Sequence, residues 1–536
     1  MKAQATRFLV VLAIMSLCTA AVFGTGGSEQ EPEGVDWNET GLPIVNEPFT
    51  MSVVSAHEAE TPSDHNDLML FQELEERTGI TIEWISFDYT AGDAAQRVQL
   101  LFSSGDLPDI VMNGMNRDVV YEYGQQGLII PARELAEEYA PNIWKVVDEA
   151  PAFLQNSIAP DGNVYGWGKT PPAGADAMIT HYINQQWLDN LGLEMPQTTD
   201  EFREVLIAFR DQDANGNGDP NDEIPHSTPW RGVRWWASDY GLMGAFGNPG
   251  NYGTPYLAMD DEGRPYYALA TDTFKDFVSF MHGLVEDGLA DPELYTQDWA
   301  ALVAKGNAGI LGSTASWVAE PAIVVGDNAD QYVPVGPLTG PRGTQSYVYN
   351  GSRSADGGYA YAISSGMEYP EIAMRWINEM YDPLFSLQLN EGPIGVAIEI
   401  VNGNQIRSLP LAEGETRASR KNSTSLGGSA AFVWRDFYEW EPSPESAALS
   451  YIRELIEPAL PVDNNWPALF LSQEEIEQVQ GLQDEIRPLS ERYWADWVMN
   501  GGVEEEWDEY IAQIERLGLQ DYLDAYYEFK VARFGE

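Results

Sequence analysis

Residues 49–113 read FTMSVVSAHEAETPSDHNDLMLFQELEERTGITIEWISFDYTAGDAAQRVQLLFSSGDLPDIVMN, and short apolar segments alternate here with amphipathic ones. Three segments have the composition of strands, and the two between them have helical spacing of apolar residues. In chain order they are MSVVSA (51–56), 66–77, ITIEWISF (80–87), 93–103 and DIVMN (109–113). Gly79 and Gly105 end the two helical patterns. Repeated β-α-β units indicate a parallel sheet, so the sequence predicts an α/β fold.

A second region of mixed pattern begins near Met178 with an extended segment, AMITHYIN. Thr198 and Glu201 then form a capping-box pattern at the start of a helix. Apolar residues follow with the spacing i, i+3, i+4 and i+7: Phe202, Val205, Leu206 and Phe209. The last fifty residues have helical patterns rich in Trp and Tyr, so a helical C-terminus is expected.

The stretch DQDANGNGDPNDEIP, residues 211–225, places oxygen-bearing side chains at every second position around two glycines. A tightly curled loop of this kind can turn each oxygen toward one Ca²⁺ ion. The predicted ligands are Asp213, Asn215, Asn217, Asp219, Asp222 and Glu223. An EF-hand would need a bidentate Glu where Ile224 stands, and Pro225 disfavours its exit helix. We therefore predict a structural ion, and the alternative is an Asn/Gly surface turn that binds no ion.

Residues 1–24 have the pattern of a secretory signal peptide, in which Lys2 and Arg7 lead into an apolar run. The protein is thus predicted to be exported to the periplasm or the cell exterior. Cys18, the only cysteine, stands where a lipoprotein cysteine would stand, although Leu17 before it is unusual for that processing. Cleavage after Gly24 and lipid anchoring at the membrane surface through Cys18 are both open. Residues 25–45 are predicted to be a flexible acidic linker.

The formal charge of −55, from 84 acidic and 29 basic residues, excludes nucleic acid as a partner. It also disfavours an anionic ligand unless a local arginine cluster overrides it. A chain of 536 residues is expected to form two or more domains.

The sequence contains no recognisable catalytic motif, so no catalytic residue is predicted. Gly168-Lys169-Thr170 is not a phosphate-binding loop, because Asn163 occupies the position of its first glycine. The chain has neither G-x-S-x-G nor H-E-x-x-H, and its five histidines are dispersed. Carboxylates are numerous, but no pair is singled out. We predict a binding protein, and a secreted lyase or glycosidase remains the alternative.

The chain contains 17 Trp and 26 Tyr, several of them beside glycine and polar residues. Aromatic faces stack on the C–H faces of sugar rings while neighbouring polar groups bind hydroxyls. The candidates for stacking are Trp167, Trp235, Trp236 and Trp317. The alternative for each of them is a place in a hydrophobic core.

Several segments, in order, resemble the extracellular solute-binding proteins of bacterial ABC importers, in the sugar-binding family that includes maltose-binding proteins. The most specific are SSGDLPDIV (103–111), DGNVYGWG (161–168), INQQWLDNLGLEMPQTTDEF (183–202) and DGLADPELYTQDW (287–299). The loop at 213–223 is similar to that of the subgroup that binds oligosaccharides, including alginate-binding proteins. One inserted residue leaves open which of Asp219, Asn221 and Asp222 faces the ion.

This resemblance implies a two-lobed periplasmic-binding-protein fold of type II, with the ligand in a cleft between the lobes. Residues 46–172 and 353–400 would form lobe 1, and residues 173–352 and 401–536 would form lobe 2 with the calcium-like loop. The implied protein is a monomer that closes over a carbohydrate, or over another polar solute, and delivers it to a membrane permease. His57, Asp88 and Arg234 are the candidates for binding hydroxyl groups.

Overall fold

The computed structural model describes most of the chain after residue 33. The described residues are 34–57, 61–88, 94–113, 115, 117–149, 151–168, 179–229, 239–248, 256–317, 321–348, 359–415, 417–426, 433, 437–441, 444–460, 466 and 469–534. The predicted signal peptide, residues 1–24, lies outside them. Within the described ranges, no helix is both long enough and apolar enough to span a membrane.

The described elements alternate along the chain and end in long helices. The strands are β1 (Phe49–His57), β2 (Ile80–Asp88), β3 (Ile110–Met112), β4 (Trp167–Gly168), β5 (Ile179–Asn184), β6 (Leu257–Met259), β7 (Pro265–Tyr267), β8 (Ser313–Trp317), β9 (Tyr332–Pro334), β10 (Tyr359–Ile363), β11 (Ile398–Asn402), β12 (Gln405–Ser408) and β13 (Glu439–Trp440). The helices are α1 (Met69–Thr78), α2 (Ala94–Ser104), α3 (Arg117–Gln125), α4 (Arg133–Tyr139), α5 (Pro141–Glu149), α6 (Ala152–Ser157), α7 (Gln185–Leu191), α8 (Thr199–Asp211), α9 (Asp272–Glu286), α10 (Trp299–Asn307), α11 (Ala322–Val325), α12 (Pro370–Met380), α13 (Pro383–Glu391), α14 (Arg417–Thr424), α15 (Pro444–Ile456), α16 (Gln473–Asn500), α17 (Val503–Arg516) and α18 (Leu519–Phe534).

Lobe 1 is built on a sheet with the strand order β2-β1-β3-β10-β4. β1 pairs in parallel with both β2 and β3, which confirms the parallel sheet predicted from residues 49–113. Helix α1 begins three residues later than predicted, because residues 65–67 form a separate 3-10 turn capped by Asp64. β10 returns from far along the chain and lies antiparallel between β3 and β4.

Both faces of the lobe 1 sheet are covered. Val53 on β1 packs with Ile82 and Ile110 under α1 and α12, while the adjacent Val54 packs with Val111 on the opposite face. Helices on both faces of a mixed sheet, in which β2, β1 and β3 pair in parallel, give the α/β architecture expected of this lobe.

Residues 401–441 pack with lobe 1, whereas the sequence assigned them to lobe 2. Ile406 on β12 shares a core with Leu387 of α13, and the N–H of Leu426 bonds to the carbonyl of Leu389. The predicted boundary at 400 is therefore too early. The chain crosses to lobe 2 only at α15, whose Ile452 joins the lobe 2 core.

Lobe 2 contains the antiparallel sheet β8-β5-β9 and a core shared with the C-terminal helices. Helix α8 begins at the predicted capping box, because the Thr198 hydroxyl accepts the Glu201 N–H and the Glu201 carboxylate accepts the Thr198 N–H. The predicted helical C-terminus is present in α16, α17 and α18.

The second half of the predicted linker, residues 34–45, belongs to lobe 1. Ile44 and Val45 are buried in its core, and both of their N–H groups bond to the Thr78 carbonyl, at 2.8 and 3.1 Å. Buried Arg375 also donates to the carbonyls of Asn38 and Gly41. The linker prediction is wrong for this half, because an arginine more than 300 residues away in sequence holds it.

Candidate functional site

The carboxyl ends of the parallel strands in lobe 1 bring two predicted site residues together. β1 ends at His57 and β2 ends at Asp88, and these residues are direct partners in the register of the two strands. Asn113 follows β3 at the same edge, with φ of 57°, and its side-chain oxygen accepts the Ala56 N–H at 2.6 Å. In open α/β sheets, ligands bind outside the carboxyl ends of the strands, so this edge is the candidate wall of the cleft in lobe 1.

His57 is itself only 6% exposed, and a second histidine packs against it. The His65 ring lies edge-on to the His57 ring, with centroids 5.7 Å apart. Nδ1 of His65 lies 2.8 Å from the Pro62 carbonyl, which can only accept, and Nε2 lies 3.0 Å from the Ser55 hydroxyl. Burial lowers the pKa of His65 to about 4, so its ring is neutral at physiological pH. His65 therefore positions His57 without adding charge.

Among the stacking candidates that the structure describes, Trp317 lies in lobe 2. It ends β8 and is paired with Ile179 at the start of β5. It is half-buried against the lobe 2 core. It stands at the end of β8, an edge strand of the sheet β8-β5-β9, and its side chain is only partly buried, as a stacking residue requires.

Trp167 is a core residue and not part of a ligand surface. It is 0% exposed on β4. Its ring stacks on Phe153 at 6.0 Å and meets the edge of Trp144 at 6.1 Å. The glycines beside it suggested a polar site, but its neighbours come from α5 and α6. The stacking role assigned to Trp167 is therefore wrong for this conformation.

The remaining candidates, Arg234, Trp235 and Trp236, lie outside the described residues. The structure does describe the chain on both sides of them, and a buried polar network lies there. Asp239 accepts from Thr228 Oγ1 at 2.9 Å and lies 2.8 Å from His226 Nε2. Burial acts to raise the pKa of Asp239, but the charge and hydrogen bond of His226 hold it below its ordinary value.

His226 Nδ1 also lies 3.2 Å from the Ser313 hydroxyl, so the His226 ring links the side chains of Ser313 and Asp239 by hydrogen bonds. Ser313 and His226 are both 0% exposed. A substrate cannot reach a fully buried nucleophile, so this arrangement is structural and not catalytic. Sequence reasoning missed it, because the three residues are dispersed along the chain.

The loop at 213–223 follows α8, and hydrogen bonds between its own side-chain amides and backbone hold it in a tight turn. The side-chain oxygen of Asn215 accepts the Asn217 N–H at 2.9 Å, and that of Asn217 accepts the Asp219 N–H at 2.8 Å. Both asparagine side chains donate to the two oxygens of Asp222, at 3.0 and 2.7 Å. These bonds close the loop on itself and engage both side-chain oxygens of Asp222.

Two carboxylate oxygens in this loop are buried without a hydrogen-bond partner. Asp213 Oδ2 accepts the Gly218 N–H at 3.0 Å and Glu223 Oε1 accepts the Ala214 N–H at 2.9 Å, but Asp213 Oδ1 and Glu223 Oε2 have no donor. An all-oxygen donor set with orphaned carboxylate oxygens fits Ca²⁺. The described residues contain no cluster of three or more His, Cys, Asp or Glu side chains arranged to bind a metal, so amide and backbone oxygens would have to contribute.

The chain is similar to known proteins over nearly its whole length. Residues 66–383 match the family model "Bacterial extracellular solute-binding protein". The chain is 32% identical over 536 residues to the fructooligosaccharide ABC transporter substrate-binding protein FusA of Streptococcus pneumoniae serotype 4 (strain ATCC BAA-334 / TIGR4), covering 95% of this chain and 96% of FusA.

Two solved structures of S. pneumoniae FusA share the fold. The complex with kestose has a TM-score of 0.76 at 30% identity, covering 90% of this chain and 98% of the other. An EF-hand mutant in complex with fructo-nystose has a TM-score of 0.77 at 30% identity, covering 91% of this chain and 100% of the other.

Proposed function

Because this chain belongs to the bacterial extracellular solute-binding proteins, we propose that it binds a neutral oligosaccharide of the fructooligosaccharide class and delivers it to the permease of an ABC importer. The observation that carries this proposal is the similarity to a kestose-bound structure over 90% of the chain, which includes both lobes. The protein is expected to act as an exported monomer without enzymatic activity.

The ligand is held between the lobes. His57 and Asp88 form a polar edge on lobe 1, and Trp317 presents an aromatic surface at the end of β8 in lobe 2. Trp235, Trp236 and Arg234 remain proposed contacts. A sugar that touches both edges only when they approach each other binds the closed state more tightly, and it shifts the population toward that state.

The charge of the protein favours a neutral sugar over a uronic-acid polymer. The net charge is −55, so an anionic ligand would approach against a repulsive field. Hydroxyl groups carry no such penalty, and they match the donors and acceptors of His57 and Asp88.

Titration calorimetry tests the proposed ligand class. Kestose, nystose, maltotriose and trigalacturonate are titrated separately into the protein, and the mixtures are then analysed by chromatography for cleavage products. We expect binding of kestose or nystose at one site with intact sugar recovered. Hydrolysis of many equivalents per protein would show an enzyme, and preferential binding of trigalacturonate would overturn the neutral-sugar proposal.

We also propose that the loop at 213–223 holds a structural Ca²⁺. The support is the orphaned pair Asp213 Oδ1 and Glu223 Oε2, together with the "EF-hand mutant" described for FusA. The proposed ligands are Asp213, Asn215, Asn217, Asp219, Asp222 and Glu223. The ion would neutralise buried carboxylates and fix the loop, and it would take no part in sugar chemistry.

The mode of attachment at the membrane is a separate proposal. Cleavage after Gly24 would release a free protein, whereas a lipid on Cys18 would tether it to the membrane surface. Mass spectrometry of the protein from its own host separates the two, because lipidation adds the mass of the acyl chains to a chain that begins at Cys18.

A further inference from the structure

Two adjacent residues, Leu469 and Phe470, pack into the cores of different lobes. Leu469 belongs to the lobe 2 core, and Phe470, which is only 5% exposed, belongs to the lobe 1 core that contains Val54 and Val111. The segment that continues from them forms the start of α16 in lobe 2. One short segment thus carries a side chain from lobe 2 into lobe 1.

The Phe470 ring is enclosed by two residues of α3 in lobe 1. The edge of the Tyr121 ring meets it with centroids 5.6 Å apart. The Arg117 guanidinium lies over its face, 4.9 Å from the centroid. Arg117 also donates to the Leu469 carbonyl, so one lobe 1 side chain holds both the ring and the backbone of the segment.

The backbone of the same segment is fixed to lobe 2. Arg533 of α18 donates through Nε to the Phe470 carbonyl at 2.9 Å. The Arg533 guanidinium is held in turn by Glu475, with Nη1 and Oε1 2.9 Å apart. Glu475 also closes the capping box with Ser472 at the start of α16. The position of Phe470 is therefore set by lobe 2, although its ring lies in lobe 1.

In a rigid-body rotation, displacement grows with distance from the axis. A movement of the segment away from lobe 1 would withdraw the ring from Tyr121 and break the bond between Arg117 and the Leu469 carbonyl. Close-packed cores do not stretch continuously to follow such a movement. The contact can persist during closure only if the axis passes close to it.

We propose that Phe470, held between Arg117 and Arg533, is the pivot about which the two lobes rotate. This inference rests on the proposed function, because it assumes that the protein works by closing over its ligand. Phe470 is a positioning residue, since it acts through the arrangement of the lobes and does not contact the sugar.

Spin-label distances between the lobes test the pivot without any ligand. Labels are placed at Leu100 of α2 and Ile323 of α11, which are 68% and 37% exposed, in a Cys18→Ser background. Phe470→Ala is compared with Phe534→Ala, which removes a ring that is 54% exposed in the same C-terminal region. We expect a broadened distance distribution for Phe470→Ala alone. A distribution as narrow as that of the unsubstituted protein would overturn the proposal.

A variant that fails to fold is recognised by its circular dichroism, and Phe470→Leu then replaces it. Leucine keeps the apolar contact but removes the aromatic face beneath Arg117, so an intermediate broadening is expected. An unchanged distribution in a folded Phe470→Leu variant, with Phe470→Ala unfolded, would count against the pivot.

A fluorine label distinguishes a pivot from a contact that breaks on closure. With 4-fluorophenylalanine at position 470, kestose should change the distance between the spin labels and leave the fluorine resonance in place. A resonance that moves to a solvent-exposed shift on closure would overturn the pivot. If kestose changes no distance in the unsubstituted protein, the proposed ligand is wrong, and the ligand-free comparison still decides the pivot.

Discussion

Chelation of calcium is expected to destabilise lobe 2 through two buried carboxylate oxygens. Asp213 Oδ1 and Glu223 Oε2 have no hydrogen-bond donor in the described loop, so an ion is the group that would satisfy them. A buried polar group left unsatisfied costs about 1–3 kcal/mol. With two such oxygens, removal of the ion should lower the free energy of unfolding by about 2–6 kcal/mol.

Differential scanning calorimetry in excess calcium and in excess chelator measures this loss. For a domain of the size of lobe 2, 1 kcal/mol corresponds to about 2–4 °C, so the expected decrease in Tm is roughly 5–20 °C. Magnesium should not restore the melt, because it requires shorter, octahedral coordination and releases its water reluctantly.

Two aspartates at the start of the loop provide a matched comparison. Asp213→Asn removes a proposed ligand and should abolish the response to calcium. Asp211→Asn should leave that response intact, because the exposed Asp211 carboxylate is bonded to Arg210 and lies outside the proposed ligand set. If chelator leaves Tm unchanged, or if both variants respond to calcium alike, the loop does not bind a structural Ca²⁺.

The pH dependence of the calcium effect follows from Glu223. Burial raises the pKa of this carboxyl, against the opposing effect of the backbone N–H groups that bond to it. In ion-free protein, a raised pKa contributes stability at low pH and loses it as the pH rises through the folded pKa. Calcium needs the ionised carboxylate. The difference in Tm between calcium and chelator should therefore be small in acid and grow toward neutral pH.

Four further predictions concern a core residue, the proposed ligand residues and the segment 34–45. Trp167→Ala should lower the free energy of unfolding by about 3–5 kcal/mol, measured by denaturant titration, with unchanged kestose affinity in the folded protein. Trp317→Ala should weaken the affinity for kestose about tenfold in calorimetry, with little change in Tm. If Trp317→Ala instead lowers Tm and Trp167→Ala weakens kestose binding, Trp317 is the core residue and Trp167 the ligand residue. His57→Ala and Asp88→Asn should each weaken kestose about 10- to 100-fold, and an unchanged affinity would remove that edge from the cleft. Arg375→Met should lower the free energy of unfolding by about 1–3 kcal/mol and speed proteolysis of residues 34–45, and unchanged cleavage would show that this segment is held by other contacts.

The part of the fold that was predictable is the part set by contiguous patterns. Within residues 49–113, each helix and strand follows from local periodicity, and the glycine at position 79 ends α1 in the left-handed region with φ of 78°. The capping box at Thr198 was readable for the same reason. The pairing of His57 with Asp88 follows from the parallel register, since equivalent strand ends meet at one edge.

The errors arose where a distant segment supplies the partner. Trp167 has glycine neighbours in sequence, but Phe153 and Trp144 enclose its ring. Residues 34–45 continue an acidic, glycine-containing stretch that reads as a linker, yet Arg375 binds the carbonyls of Asn38 and Gly41. Local composition describes what a segment can do alone. It does not describe a cavity or a donor that another part of the chain brings to it.

Residues 224–227 connect the loop at 213–223 to β8, the strand that ends at the proposed sugar contact Trp317, and their hydrogen bonds do not depend on any ion. The Ile224 N–H bonds to the Ile310 carbonyl at 2.8 Å, and its own carbonyl accepts the Gly312 N–H at 2.9 Å. The Ser227 N–H then bonds to the Ser313 carbonyl at 3.1 Å. Because these bonds fix the chain to the strand that leads to Trp317, loss of the ion should loosen the loop without moving that tryptophan. Below the melting transition, chelator should therefore leave kestose affinity unchanged while it lowers Tm. A parallel loss of affinity in calorimetry would show instead that the ion also sets the geometry of the sugar site.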